Sequence, residues 1–142
     1  MGLFDAINVA ASGLTAERLR MDVISNNIAN ANTTRTAAGG PYRRQQVVFA
    51  ARDDKRSFAN ALAAELQGGV RVVGIVEDNT PGRLVYDPSH PDANALGYVE
   101  YPNVNIVSEM VDMMTAARAY EANVTAINAA KSMALKALEI GK

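Results

Sequence analysis

Two apolar seams with heptad spacing, one at each end of the chain, constrain its fold more than any other feature. Near the N-terminus Leu3, Ile7, Ala10, Leu14, Met21, Ile24, Ile28 and Ala31 recur in alternating steps of four and three, with Glu17 as the polar interruption. Toward the C-terminus Ile106, Met110, Met113, Ala117, Tyr120, Val124, Ile127, Ala134 and Leu138 repeat the pattern, broken by Lys131. Steps that average 3.5 residues hold side chains on one side of an α-helix, which is the signature of a coiled-coil contact. The spacing therefore predicts a mainly α protein. A long N-terminal helix lies in residues 1–34, a long C-terminal helix lies in residues 104–142, and the two form a coiled-coil-like layer. A helix filling most of 104–142 would be about 55 Å long, well beyond the usual globular helix.

The ends of both helices are marked. The run SNNIANANTT at 25–34 is a poor helix interior, because the short amides of Asn26, Asn27, Asn30 and Asn32 compete for backbone groups. The first helix should end near residues 30–32. Asn103 or Asn105 can cap the start of the second, and Gly141 can close it. Aromatic residues make up 6% of the chain and Trp is absent, so the core must be built from Ala, Val, Leu, Ile and Met. Nine alanines between Ala116 and Ala137 raise helix propensity and let backbones approach closely.

Residues 35–103 differ in kind. Gly39-Gly40-Pro41 and Gly68-Gly69 punctuate them, and every proline of the chain falls here. Short β-prone runs occupy Tyr42–Phe49, Val70–Val76, Leu84–Tyr86 and Tyr98–Tyr101, with Asn79-Thr80-Pro81-Gly82 as a turn. Phe58–Leu66 has the composition of one short helix. The runs are too few and too short for a large sheet, so this segment reads as a small β-rich insert with long loops. Its charge is uneven: residues 35–56 are net +4 and residues 57–103 net −4. Two readings stand side by side, solvated surface with internal pairing, or complementary patches that meet between neighbouring subunits.

Several functions are excluded by composition. The chain lacks Cys, which rules out disulfides, thiolate zinc sites and a thiol nucleophile, and it has a single His. A net charge of −1 points to neither nucleic acid nor an anionic membrane as partner. No apolar run reaches the length of a transmembrane helix. The start MGLFDAINVAASGL lacks the basic region of a secretory signal, so export would have to proceed without signal cleavage. Phosphate-loop, dinucleotide and HExxH motifs are absent, so neither a cofactor nor a small-molecule substrate is expected. His90, in Asp87-Pro88-Ser89-His90-Pro91-Asp92, reads as part of a structured turn. Glu109, Asp112 and Glu121, beside Arg118, read as a solvated helix face.

The seams carry the functional argument. An insert of this size does not cover both, and a two-helix pair leaves much of each Ala- and Met-bearing surface wet. Exposed apolar stripes of that extent mark an assembly surface. The expected contact residues are Ile7, Leu14, Met21, Ile24 and Ile28 on the first helix and Ile106, Met110, Met113, Tyr120, Val124, Ile127 and Leu138 on the second. The rival is a soluble helical adaptor, or a small-ligand or metal-binding module using the 87–92 loop. For the seams, an isolated chain should have largely unfolded termini that gain order on assembly.

The run AASGLTAERLRMDVISNNIANANTTRT resembles the signature of flagellar axial proteins, the rod and hook components of the bacterial flagellum. The matching positions are Ser12, Gly13, Leu14, Ala16, Asn26, Asn27, Ile28, Ala29, Asn30 and Thr33. EMVDMMTAARAYEANVTAINAAKSMALKALEIGK is similar to that family's closing helix, and GGPYRRQ and VYDPSHPDANALGYVEYPNVN also fit it. Ser25 departs from the family's more usual Ala, a change too small to disturb packing. Ser57–Gln67 is the least recognisable part. The resemblance implies a non-enzymatic structural subunit, exported through the flagellar type III apparatus and built into the periplasmic rod. It implies an inner layer of terminal helices, an outward-facing insert and transmission of torque. The implied partners are further copies, other rod proteins and the ring-to-rod junction protein FliE.

Overall fold

The computed structural model describes residues 3–52 and 68–140. Helix α1 spans Leu3–Ala29 and helix α2 spans Ile106–Ile140, 27 and 35 residues. Between them lie strands β1 (Gln45–Ala51), β2 (Val70–Glu77), β3 (Arg83–Tyr86) and β4 (Tyr98–Tyr101). The protein is therefore mainly α with a small β-rich part. The expected helix at Phe58–Leu66 and the cap at Gly141 lie outside the described residues.

The helix ends follow from asparagine chemistry. At the end of α1 the Asn30 side chain and backbone N–H both donate to the Asn26 carbonyl, at 2.9 and 3.0 Å, and residues 30–32 form a turn. At the start of α2 the Asn105 Oδ1 accepts from the backbone N–H groups of Val107 (3.0 Å) and Ser108 (3.3 Å), satisfying two donors that a helix start leaves without partners. Asn103, the other expected cap, acts elsewhere, as described below.

The strands form two separate two-stranded sheets, β1 with β2 and β3 with β4. The second is antiparallel with Arg83 opposite Tyr101 and Tyr86 opposite Tyr98. Val99 points inward and is buried, whereas the Tyr86 and Tyr98 rings meet edge to face on the outer side, 5.2 Å between centroids. The first expected strand starts three residues later than its apolar run suggests, because Tyr42, Arg43 and Arg44 serve other contacts.

The chain divides into two compact units, each drawing on both helices and the insert. Unit 1 comprises residues 1–19, 48–74 and 116–142. Unit 2 comprises residues 20–47 and 75–115. Among the described residues, the buried side chains of unit 1 are Ala10, Ala16, Ala116 and Ala130. Those of unit 2 are Val23, Ile24, Ala31, Val99 and Pro102, together with Asn27 and Glu109.

Candidate assembly surface and its polar anchor

Unit 2 is organised around Asn27. A loop brings the chain back to it: Tyr42 N–H donates to the Thr33 carbonyl (3.0 Å) and Thr36 N–H to the Gly40 carbonyl (2.9 Å). Gly39 and Gly40 take φ of 89° and 75°, a backbone region that a side chain would disfavour, and so allow the reversal. The Tyr42 hydroxyl then donates to Asn27 Oδ1 at 2.9 Å, and the Gln45 N–H donates to the same oxygen at 2.9 Å. Asn27 Nδ2 donates to the Gln45 carbonyl (2.8 Å) and to Glu109 Oε2 (2.9 Å). Two donors and two acceptor sites are thus all used, the full capacity of an amide, at a residue with 0% exposure. The network also fixes which end of the amide is nitrogen, because the acceptors lie on one side and the donors on the other.

Glu109, 1% exposed, receives its counter-charge from Arg44, whose Nε donates to Oε1 at 2.5 Å. Arg44 Nη2 reaches Asp112 Oδ2 at 3.3 Å, and Arg20 approaches the other oxygen of Asp112 at 3.9 Å. Two guanidinium and two carboxylate groups therefore alternate. The Arg44 backbone N–H donates to Asn103 Oδ1 (2.8 Å), and Asn103 Nδ2 donates to the carbonyls of Asp78 (2.9 Å) and Thr80 (3.1 Å). Burial, with Glu109 and Glu77 adding to it, raises the Tyr42 pKa above 10.0 and keeps the hydroxyl a donor.

This cluster corrects the reading of Glu109 as part of a solvated helix face. Its burial rests on Arg44, 65 positions away in sequence, which no helical periodicity reveals. The charge split of the insert is also partly internal. Arg35 of the basic part lies 3.7 Å from Asp92 of the acidic part, whereas Arg44 pairs with Glu109 and Asp112 of α2 and Arg43 Nη1 donates to the neutral Asn79 (2.6 Å).

The motif residues fall into place unit by unit. In unit 1, Ser12 Oγ donates to the Val9 carbonyl (2.7 Å) and accepts from the Val70 N–H (3.0 Å), which fastens the start of β2 to α1. Gly13 faces Asn123 so closely that a Cβ there would stand 2.9 Å from its Nδ2. In unit 2, Thr33 Oγ1 donates to Asn30 Oδ1 (3.2 Å), and Asn26 serves through its carbonyl. Ala29 is the last residue of α1 and is exposed.

The seam residues divide by exposure. Ile24 is buried, and Ile7, Leu14, Met21, Ile28, Met113, Tyr120 and Ile127 are half-buried. Ile106, Met110, Val124 and Leu138 are exposed. The deepest line on α2 instead runs through Glu109, Ala116 and Ala130, with half-buried Asn123 between them. Small and polar residues thus make the deepest intrachain contact of α2, with Met113, Tyr120 and Ile127 half-buried beside them, while Ile106, Met110, Val124 and Leu138 of its seam are exposed. In the 87–92 loop, Asp87 Oδ1 accepts from Ser89 N–H and Oγ–H, and His90 Nδ1 accepts from the Asp92 N–H (3.1 Å). Among the described residues there is no group of three or more His, Asp or Glu arranged to hold a metal ion, and no helix long and apolar enough to cross a membrane.

Comparison with known proteins agrees with this architecture. Residues 7–35 match the family model described as flagella basal body rod protein, and residues 95–140 match that of the flagellar basal body rod FlgEFG protein C-terminal. The flagellar basal-body rod protein FlgC of Borreliella burgdorferi is 54% identical, over 99% of this chain and 98% of its own length. FlgC of Bacillus subtilis is 49% identical and FlgC of Escherichia coli O157:H7 is 43% identical, each over the full length of both chains. Two long terminal helices around a small β insert, both family models and full-length identity near one half lead to one conclusion: the chain belongs to the FlgC family of flagellar basal-body rod proteins, structural subunits of the bacterial flagellum.

Proposed function

We propose that this subunit polymerises through the outward faces of its terminal helices, with the insert turned away from the helical layer, to form part of the periplasmic rod and pass torque along it. The observation that carries the reading is the outer face of α2. Val107, Met110, Val111, Met114, Met133, Leu135 and Leu138 are all more than half exposed, with Val107 and Leu138 at 71%. A helix that keeps an apolar patch wet near each of its ends in the single chain gains by covering both with neighbouring helices. Further copies and other rod proteins fit this surface, and a FliE-type junction protein is the proposed neighbour on the ring side. The role needs no catalytic group.

The test is complementation of a strain lacking the native copy, read as motility and as rods in electron micrographs. Leu138→Asp and Val124→Asp put charges on exposed positions, so the free chain should keep its helix content while rod assembly fails. His90→Ala removes one hydrogen bond of a turn and should leave motility intact. A motile Leu138→Asp, Val124→Asp double variant would sink the proposal.

A further inference from the structure

A buried ion cluster is a weak source of net stability, because apolar side chains of the same volume often serve as well or better. What such a cluster supplies is a choice between arrangements that apolar packing leaves close in energy. The helix pair offers such arrangements. On α2 the deepest positions, Glu109, Ala116 and Ala130, share one seven-residue repeat. If α2 slid by one heptad, Ala116 would take the place of Glu109 beside Asn27. Alanine meets the steric demand there, but offers no acceptor to Asn27 Nδ2 and no anion to Arg44.

Arg44 is poorly able to follow such a slide. Its main chain is tied by Asn103 Oδ1, and Asn103 is itself held by the Asp78 and Thr80 carbonyls. Its side chain reaches Glu109 and Asp112 at the same time, one helical turn apart. Asn27 is equally constrained, since Gln45 engages its amide at both ends. In unit 2 the run of α1 from Arg20 to Asn27 meets Asp112 and then Glu109, so the two helices are antiparallel and the cluster reads one specific alignment of them.

We infer that the Asn27–Arg44–Glu109 cluster is the register lock of the α1/α2 pair, with Arg44 as a positioning residue that admits one alignment of α2 and rejects the heptad-shifted one. The alanine line lets the helices approach closely at more than one alignment, and the cluster decides where along their length they meet. A subunit whose outer stripe must fit its neighbours needs that alignment fixed within the chain.

The experiment measures alignment directly. The chain has no cysteine, so Asp22→Cys and Ser108→Cys, both exposed positions in unit 2, carry the only spin labels. Pulsed electron–electron distance measurement on the full free chain should give one narrow separation. The triple variant Asn27→Leu, Arg44→Met, Glu109→Leu should keep its helix content by circular dichroism yet show a second, longer population. A heptad slide moves α2 by about 10 Å along its axis, which lengthens this separation by several ångström. Three results overturn the inference. A broad distribution in the parent chain means that no register is held. The same single narrow distance in the triple variant means that apolar packing suffices to choose it. Loss of helix in the triple variant means that the cluster provides stability, and that alignment is not its special role.

Discussion

In unit 2 the deepest side chains are Glu109, Val99 and Asn27, and the two polar ones bond to groups drawn from α1, α2 and the loop into β1. Among the described residues of unit 1 the deepest are four alanines, and a link of another kind is the bond from Val70 N–H to Ser12. The difference is one of self-sufficiency. Burying a methyl group contributes about 0.8 kcal/mol, while ordering one residue's backbone costs about 1–2 kcal/mol. An alanine-lined contact between long helices therefore remains in deficit until further neighbours cover its outer face. Unit 2 adds valine, isoleucine and a bonded cluster that is costly to break.

The comparison divides the expectation that both termini of a free chain are unfolded. Amide hydrogen exchange on dilute monomer should separate the parts of each helix. Residues 20–29 and 106–115 should exchange at least about a hundredfold more slowly than 3–19 and 116–140, the spread that local stability differences produce within one protein. Assembly should then slow the outer segments. Equal protection along the whole of both helices would erase the distinction between the units.

Asn27→Asp is the sharpest way to break unit 2. It replaces the amide donor with a carboxylate facing Glu109, and the Gln45 carbonyl loses its partner. A buried carboxylate placed against Glu109, with the Gln45 carbonyl left unpaired, costs several kcal/mol. The denaturation midpoint should fall accordingly, and the exchange contrast between the units should vanish. An unchanged midpoint would show that the Asn27 amide is not bonded to Glu109 and Gln45 in the folded chain.

Two glycines carry the comparison to smaller effects. In unit 2 a Cβ on Gly82 would collide with the main-chain carbonyl oxygen of Tyr101, beside the Arg83–Tyr101 pair of the β3–β4 sheet. That atom cannot move without opening the sheet, so Gly82→Ala should cost about 1–3 kcal/mol. In unit 1 the close neighbour of Gly13 is the tip of the Asn123 side chain, which can swing aside. Removing glycine from a helix interior gains roughly 1 kcal/mol, so Gly13→Ala should leave the melting temperature nearly unchanged. The reverse ranking in thermal melts would contradict the assignment of rigidity to unit 2.

Much of this architecture is legible in the sequence, and the limit is physical. Heptad spacing and asparagine-rich ends place α1 and α2 within a few residues, because helices report on their own local periodicity. Val70–Val76 and Tyr98–Tyr101 are read as strands for the same local reason. Asn27 is singled out by resemblance to the family, but its role is not visible, since a generic account of asparagine at a helix end explains it equally well. Glu109 is hidden more deeply. On α2 it looks like any exposed acid, and only a fold that returns Arg44 to its side makes burial possible. The outward half of the seam has the opposite difficulty: Met110 and Leu138 fit the intrachain pattern yet stay exposed, while α2 is deepest at Glu109, Ala116 and Ala130, because small residues allow a closer approach.

The smallest effect expected is on the turns of unit 2 in acid. The hydroxyl and N–H of Ser89 donate to Asp87, and these bonds hold its pKa below the ordinary 3.8. Asp78 is lowered in the same way, first by the Thr80 N–H. A carboxylate whose folded pKa lies below its unfolded one stabilises the fold fully above the unfolded value, and loses that contribution as pH falls through the folded one. Both groups are solvent-facing, so the acid limb should be shallow and confined to pH below about 4. Ser89→Ala removes the hydroxyl that contributes most to lowering Asp87 and should raise its titration midpoint toward 3.8, leaving Asp78 where it is. The measurement is carboxyl chemical shift against pH in the two proteins. If Asp87 titrates at the same pH with and without the Ser89 hydroxyl, the turn is held by something other than its own hydrogen bonds, and a ligand in the 87–92 loop becomes the reading to pursue.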